Sequence, residues 1–211
     1  DNAVREVLGA KYDMGLFNNP YLRIGKAEDD PADINAESRL HRAEARDVAR
    51  KSQVLLKNES HTLPLNKQAR IALIGPLADS KIDMLGSWSG AGVPAQSVTV
   101  REGLRNAMGK QATLTYARGA NVTDDQTVVD YLNHSNPNML DVTNDPRPAQ
   151  VMLDEAVKAA QQADIVVAVV GEARGMSHEA ASRTDLDLPA PQRALISALK
   201  ATGKPLVLVL M

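Results

Sequence analysis

Ile165-Val166-Val167-Ala168-Val169-Val170, entered from Asp164 and closed by Gly171, is an apolar run with no polar interruption. A strand with one wet face alternates apolar and polar residues, whereas a continuous run marks a strand covered on both faces. Before it, residues 149–163 read as a helix with Val151, Met152, Ala156 and Ala159 or Ala160 on one face. After it, residues 191–202 read as a further helix stopped by Gly203, and Pro205 introduces a second apolar run, Leu206-Val207-Leu208-Val209-Leu210. Upstream, residues 70–74 are β-rich and end at Gly75-Pro76, residues 100–108 are helical, and residues 112–116 are strand-like. Helices alternating with apolar strands predict an α/β fold: a three-layer α/β sandwich on a mainly parallel sheet.

The N-terminal part follows a different pattern. Residues 2–12 place Val4, Val7, Leu8 and Tyr12 on one helical face, with Gly15 as the stop signal. Asn18-Asn19-Pro20 marks a turn, and residues 21–33 carry no periodicity and read as a linker. Residues 36–58 predict a long amphipathic helix whose inward stripe is Ala45, Val48, Ala49, Ser52, Leu55 and Leu56, broken by Thr62-Leu63-Pro64-Leu65. The polar stretch 124–147, with Asn136-Pro137 and Pro146-Arg147-Pro148, reads as a long loop or insertion. The opening residues do not read as a signal peptide, and none is expected within this stretch. It starts in a helical pattern at Asp1 and stops at Met211 on an apolar run, so an internal piece of a longer protein is expected.

Composition narrows the function classes. The 211 residues are 44% hydrophobic and 24% charged, which is ordinary for a globular chain. Lys and Arg total 24 against 26 acidic residues, and the net charge is -2, with no long basic run. That leaves no electrostatic footprint for nucleic acid or an anionic membrane. No apolar stretch approaches the roughly 20 residues of a membrane span. Cysteine is absent, which excludes disulfides and thiolate chemistry.

In parallel sheets, functional groups collect beyond the carboxyl ends of the strands. Two loops qualify, 75–98 and 171–189. The second holds Glu172, Arg174, His178, Glu179, Arg183, Asp185 and Asp187. Such a loop is suited to hold a general acid, but on composition alone a solvated surface loop whose charges pair with one another is the favoured reading. Gly171 and Gly175 do not form a dinucleotide fingerprint, and no phosphate-binding loop follows. His178 lacks a second histidine at ligand spacing, so no metal is expected. The first loop sets Trp88 among Gly86, Ser87, Ser89, Gly90 and Gly92. It is either a buried anchor or an indole face open to the apolar side of a sugar ring.

The quoted pieces, taken in order, resemble a known family. Val54-Leu55-Leu56-Lys57-Asn58, Leu63-Pro64-Leu65 and Ile71-Ala72-Leu73-Ile74-Gly75-Pro76-Leu77-Ala78-Asp79 are similar to the second domain of family 3 glycoside hydrolases. So are Gly86-Ser87-Trp88-Ser89, the 164–171 strand, and Glu179-Ala180-Ala181-Ser182-Arg183 followed by Leu188-Pro189. The resemblance implies a retaining, exo-acting β-glucosidase with two domains: a TIM-barrel-like domain carrying an aspartate nucleophile, and an α/β sandwich supplying the acid/base glutamate. It implies that residues 1–20 are the barrel's tail, 21–64 a linker with its amphipathic helix, and 65–211 a C-terminally truncated sandwich. Glu179 matches the acid/base position, with Glu172 as second candidate, and Trp88 matches an aglycone-side tryptophan. His178 and Arg183 lie beside Glu179 as further substrate-site residues. The implied partners are β-linked gluco-oligosaccharides or aryl glucosides and the barrel domain, with a homodimer left open and no cofactor. The likeness leans to periplasmic members, which implies that location. No residue here matches the nucleophile, so this stretch alone is expected to be inactive. Three alternatives stand beside this reading: a carbohydrate-binding or interaction module, a parent acting on β-xylosides or N-acetylglucosaminides, and a plain doubly wound domain without a site.

Overall fold

The computed structural model describes residues 1–22, 24, 32–90, 92–109, 113–134, 140–179 and 181–211, with backbone alone for 32–39. Most of the 21–33 linker, Asn136-Pro137, Ala112, Ala91 and Ala180 lie outside the described residues. The chain forms two compact units, 1–57 and 58–211. The division falls ahead of Leu65 because Asn58 already grips the following turn. Its Nδ2 donates to Leu63 O at 2.9 Å, and Leu63 N donates back to its Oδ1 at 3.0 Å.

The first unit contains α1 (Asn2–Asp13) and α2 (Ala32–Ser52). No residue of α1 is buried. The expected inward stripe of α2 is a correction. Ala45, Val48, Ala49 and Ser52 are exposed, and so are Leu55 and Leu56 beyond the helix end. Amphipathic spacing shows that a face is apolar; it does not supply the surface that covers it.

The second unit is a four-stranded, wholly parallel sheet in the order β2-β1-β3-β4, from β1 (Ile71–Ile74), β2 (Leu114–Ala117), β3 (Ile165–Val170) and β4 (Leu206–Leu210). Ile71 pairs with Leu114 on one side and Ile165 on the other, so β1 and β3 are the central pair. Side chains alternate between the two faces, and both faces are covered. Ile71, Leu73, Val167 and Val169 pack under α3 (Val100–Met108) and α4 (Gln126–His134) through Leu104, Met108, Val129 and Leu132. Ala72, Ile74, Val166 and Ala168 meet α5 (Ala149–Gln162) and α6 (Ala190–Ala201) through Ala156, Ala160, Leu195 and Leu199. Small alanines on β1, β3 and α5 let that layer approach closely. The three-layer α/β sandwich read from the continuous runs is therefore the observed fold.

Three details differ from the sequence reading. Helix α4 occupies part of the 124–147 stretch expected as loop, because Val129 and Leu132 reach the core. On α5, Val151 faces solvent and Met152, Ala156, Ala159 and Ala160 form the buried stripe. On the edge strand β4, Leu208 and Leu210 stay about half exposed.

Candidate active site

The strand order fixes where a site can form. From the central pair the chain winds one way to β2 and the other way to β4, so the crevice lies beyond the carboxyl ends of β1 and β3. Loops 75–98 and 171–189 leave from that point. Both departures need glycine. Gly75 has φ 129° and Gly171 has φ 144°, and a Cβ at either would stand 2.0 Å from a backbone oxygen, that of Val169 or Met211. Without a Cβ, each loop turns tightly against the neighbouring strand.

The loop after β3 is held at its base by paired charges. Glu172 and Arg183 form a partly buried ion pair, and Arg183 Nη2 donates to Asp187 O at 2.7 Å. Asp187 Oδ2 meets Arg193 Nη1 at 2.8 Å. Beneath, the fully buried Gln192 accepts from Gly171 N at 2.8 Å and donates to Gly171 O and Val122 O at 2.8 and 2.9 Å. Ala173 and Met176 sink into the core.

The outer limb of the loop is tied to other connections. Arg174 N donates to Asp83 Oδ1 at 2.8 Å, and Arg174 Nε donates to Asp141 Oδ1 at 2.7 Å. Ser87 Oγ donates to Ser177 O at 2.9 Å, so the residue next to Trp88 touches the loop two residues before Glu179. Among the described residues no hydrogen bond or ion pair engages the Glu179 carboxylate, which is exposed. His178 is exposed too, with Nδ1 against the backbone oxygen of Glu179. Trp88 is 75% exposed, which excludes the buried-anchor reading. Of the expected site residues, then, Trp88, His178 and Glu179 are all exposed, on two loops joined by the Ser87–Ser177 hydrogen bond. Arg183 is paired with Glu172.

Beside the loops is a cleft of about 140 Å³, lined by Asp79, Asp83, Tyr116, Arg118 and Asp141 among others. Burial pushes the Asp83 carboxyl above its ordinary range, opposed by hydrogen bonds from Ser80 Oγ (2.5 Å) and Arg174 N, with Asp141 adding to the rise. Burial likewise raises the Tyr116 hydroxyl, under the Arg101 guanidinium at 4.5 Å from its ring centroid. Among the described residues no His, Asp and Glu side chains group as metal ligands would, and no helix is long and apolar enough to cross a membrane. The parts played by Asp83, Arg174 and Asp141 had no signal in the sequence. Each partner sits in a different connection, and Asp141 lies in the stretch read as a featureless loop.

Beyond the carboxyl ends of β1 and β3, then, a parallel doubly wound domain presents an exposed carboxylate, Glu179, and an exposed indole, Trp88. The chain belongs to glycosyl hydrolase family 3: the Glycosyl hydrolase family 3 C-terminal domain matches residues 53–211. Over its whole length it is 62% identical to the periplasmic β-glucosidase of Salmonella typhimurium, covering 27% of that protein. It is 31% identical to a β-xylosidase of Formosa agariphila, again over its whole length and 26% of the relative. The chain thus spans about a quarter of the length of these relatives. Among solved structures, a β-glucosidase involved in saponin metabolism from intestinal bacteria matches with TM-score 0.75 and 33% identity, over 100% of this chain and 29% of that one. The Listeria innocua β-glucosidase in complex with isofagomine matches with TM-score 0.71 and 30% identity, over 96% of this chain and 24% of that one.

Proposed function

We propose that this chain is the part of a retaining β-glucosidase that supplies the acid/base carboxylate, Glu179, and the leaving-group platform, Trp88. The observation that carries the reading is the Ser87–Ser177 hydrogen bond, which joins the two loops beside both residues at the sheet's switch point. In the reaction, Glu179 protonates the glycosidic oxygen as the bond to the anomeric carbon breaks, and the aspartate of a barrel domain takes that carbon. Glu179 then removes a proton from the water that resolves the glycosyl-enzyme intermediate. Two carboxyls about 5 Å apart are needed for retention, and this chain offers one. Residues 1–20 are the barrel's tail, 21–64 the linker and helix, and 65–211 the sandwich. Glu172 is the weaker acid/base candidate because Arg183 already occupies its carboxylate. Arg183 accordingly closes the loop, while His178 stands at the substrate edge beside Glu179.

The 62% identity to a periplasmic β-glucosidase supports terminal β-D-glucosyl substrates, including gluco-oligosaccharides and aryl glucosides, and a periplasmic location. A β-xyloside parent is the second reading, supported by β-xylosidase relatives at 31% and 30% identity. In the full-length enzyme, Glu179→Ala is expected to lose turnover and to regain it with azide, which replaces the activated water and yields β-glucosyl azide. Rescue of Glu172→Ala instead would move the role to Glu172. A higher kcat/KM on aryl β-xyloside than on aryl β-glucoside would select the second reading. The 211-residue chain by itself is expected to turn over neither.

A further inference from the structure

We propose that Arg174, with Asp141 and Asp83, is the positioning set that holds the Glu179 loop at the height needed to reach the glycosidic oxygen. The inference rests on the reading of Glu179 as the acid/base. None of the three touches the Glu179 carboxylate; they act through the loop backbone. Arg174 is bound twice, by different parts of the fold. Its amide donates to Asp83 on the loop after β1, and its guanidinium donates to Asp141 on the segment between α4 and α5. The Arg174 and Asp141 side chains are 18% and 17% exposed, more enclosed than Arg183–Glu172 at 24% and 28% or Arg101–Asp79 at 32% and 35%. Enclosure makes such a pair geometrically stiff, because neither partner is well solvated when apart.

Asp141 also presses on the loop directly. A Cβ at Gly175 would stand 2.6 Å from Asp141 Oδ2, so this carboxylate lies against the Gly175 backbone. Asp83 is fixed in turn by Ser80 Oγ. With Ser87 holding Ser177 O, the limb from 174 to 177 is clamped from three sides, and the free stretch before Glu179 is only a residue long. The Glu172–Arg183 and Asp187–Arg193 pairs fasten the other limb and leave the height of residue 179 unset.

The test compares leaving groups in the full-length enzyme. Methyl β-glucoside and cellobiose need protonation to depart, whereas 2,4-dinitrophenolate leaves without it. A misplaced acid therefore lowers kcat/KM on the first pair and spares the last. Displacing a catalytic group by about 1 Å costs on the order of 100-fold. Arg174→Ala is expected to lose about 30- to 100-fold on methyl β-glucoside and less than about 3-fold on the dinitrophenyl glucoside. Arg174→Lys keeps a cation for Asp141 and is expected to recover part of that loss, and Asp141→Asn to fall between. Since any unfolded fraction lowers both substrates alike, the ratio separates positioning from instability. If Arg174→Ala does not fold, Arg174→Lys and Asp141→Asn carry the same ratio test. Equal loss on the two substrates, or no loss, would overturn the proposal. Glu179→Gln run in parallel distinguishes the failures: without leaving-group dependence there, the acid/base reading falls first. With it there and not in the Arg174 variants, only the positioning role falls.

Discussion

Replacing Gln192 by leucine tests whether the site loops depend on one buried polar side chain. Gln192 is 0% exposed and serves three backbone groups: Gly171 N, Gly171 O and Val122 O. Leucine has a similar volume, so the change removes the hydrogen bonds with little cavity. A buried group left without its partner costs about 1–3 kcal/mol, with carbonyls toward the low end. The amide and two carbonyls together give an expected loss of about 3–5 kcal/mol. With a urea m-value of about 2 kcal/mol/M, the midpoint moves down by roughly 2 M. Circular dichroism is the suitable probe, because Trp88 is already exposed and its emission changes little on unfolding. Gln150→Leu, on the exposed side of α5, is the control, with a change below about 0.5 kcal/mol. Gln192→Glu adds a sign test. Its second oxygen would face the Val122 and Gly171 carbonyls, so the folded protein holds the carboxyl protonated and its pKa rises. Stability is then retained at low pH and lost as pH climbs above about 4.3. A midpoint shift in the leucine variant no larger than the control would refute the reasoning.

Gly75→Ala is expected to cost more than about 3 kcal/mol by thermal or urea unfolding, since strain of about 1–3 kcal/mol at its φ adds to a 2.0 Å collision with Val169 O. Gly203→Ala is the comparison: φ is 70° with nothing within 4 Å, so only the left-handed penalty of about 1–2 kcal/mol applies. On the acid side, hydrogen bonds from Arg70 hold Asp164 down to about 2, and those from Arg147 hold Asp145 at about 2. Their ionised forms are favoured by folding, so this stabilisation is complete above pH 3.8 and is lost as pH falls toward about 2. An acid titration of stability should lose that step in the Asp164→Asn, Asp145→Asn double variant; an unchanged curve would contradict the assignment.

What the sequence made legible follows the range of each interaction. Strands β1, β3 and β4 and helices α3, α5 and α6 are written in contiguous apolar runs or helical spacing, and the structure has each within two residues of its reading. Helix α4 escaped because Asn136-Pro137 and Pro146-Arg147-Pro148 made its surroundings read as loop, although Val128, Val129 and Leu132 carried a short helical signal. The exposed stripe of α2 failed for the opposite reason: a clear pattern, with no cover among the described residues. In the site, the position of the 171–189 loop followed from the strand before it. Its wiring did not, because Ser87 and Ser177 are 90 residues apart, Arg174 and Asp83 are 91 apart, and Arg174 and Asp141 are 33 apart.

That wiring bears on the two readings that composition left open for the acidic loop, and it supports the proposed role of Glu179. The salt-bridged surface loop describes nearly all of its charges. Glu172 is spent on Arg183, Arg174 on Asp141 and Asp187 on Arg193, while Asp185 accepts from Asp187 N at 2.9 Å. Among the described residues, Glu179 is the charge of this loop for which no hydrogen bond or ion pair is seen. A loop that merely needed solubility would have no reason to neutralise its other groups and clamp its outer limb just short of the one it leaves free. A general acid has such a reason. It must be held at a fixed height, and it must not be held ionised by a neighbouring cation, since Arg at contact distance would keep the carboxyl from carrying a proton. Directing Arg183 to Glu172 and Arg174 to Asp141 keeps both guanidiniums occupied. In the proposed enzyme, the rest of the environment around Glu179 would come from the barrel domain docked against this loop. The free carboxylate and the exposed Trp88 are the two features that such docking would cover.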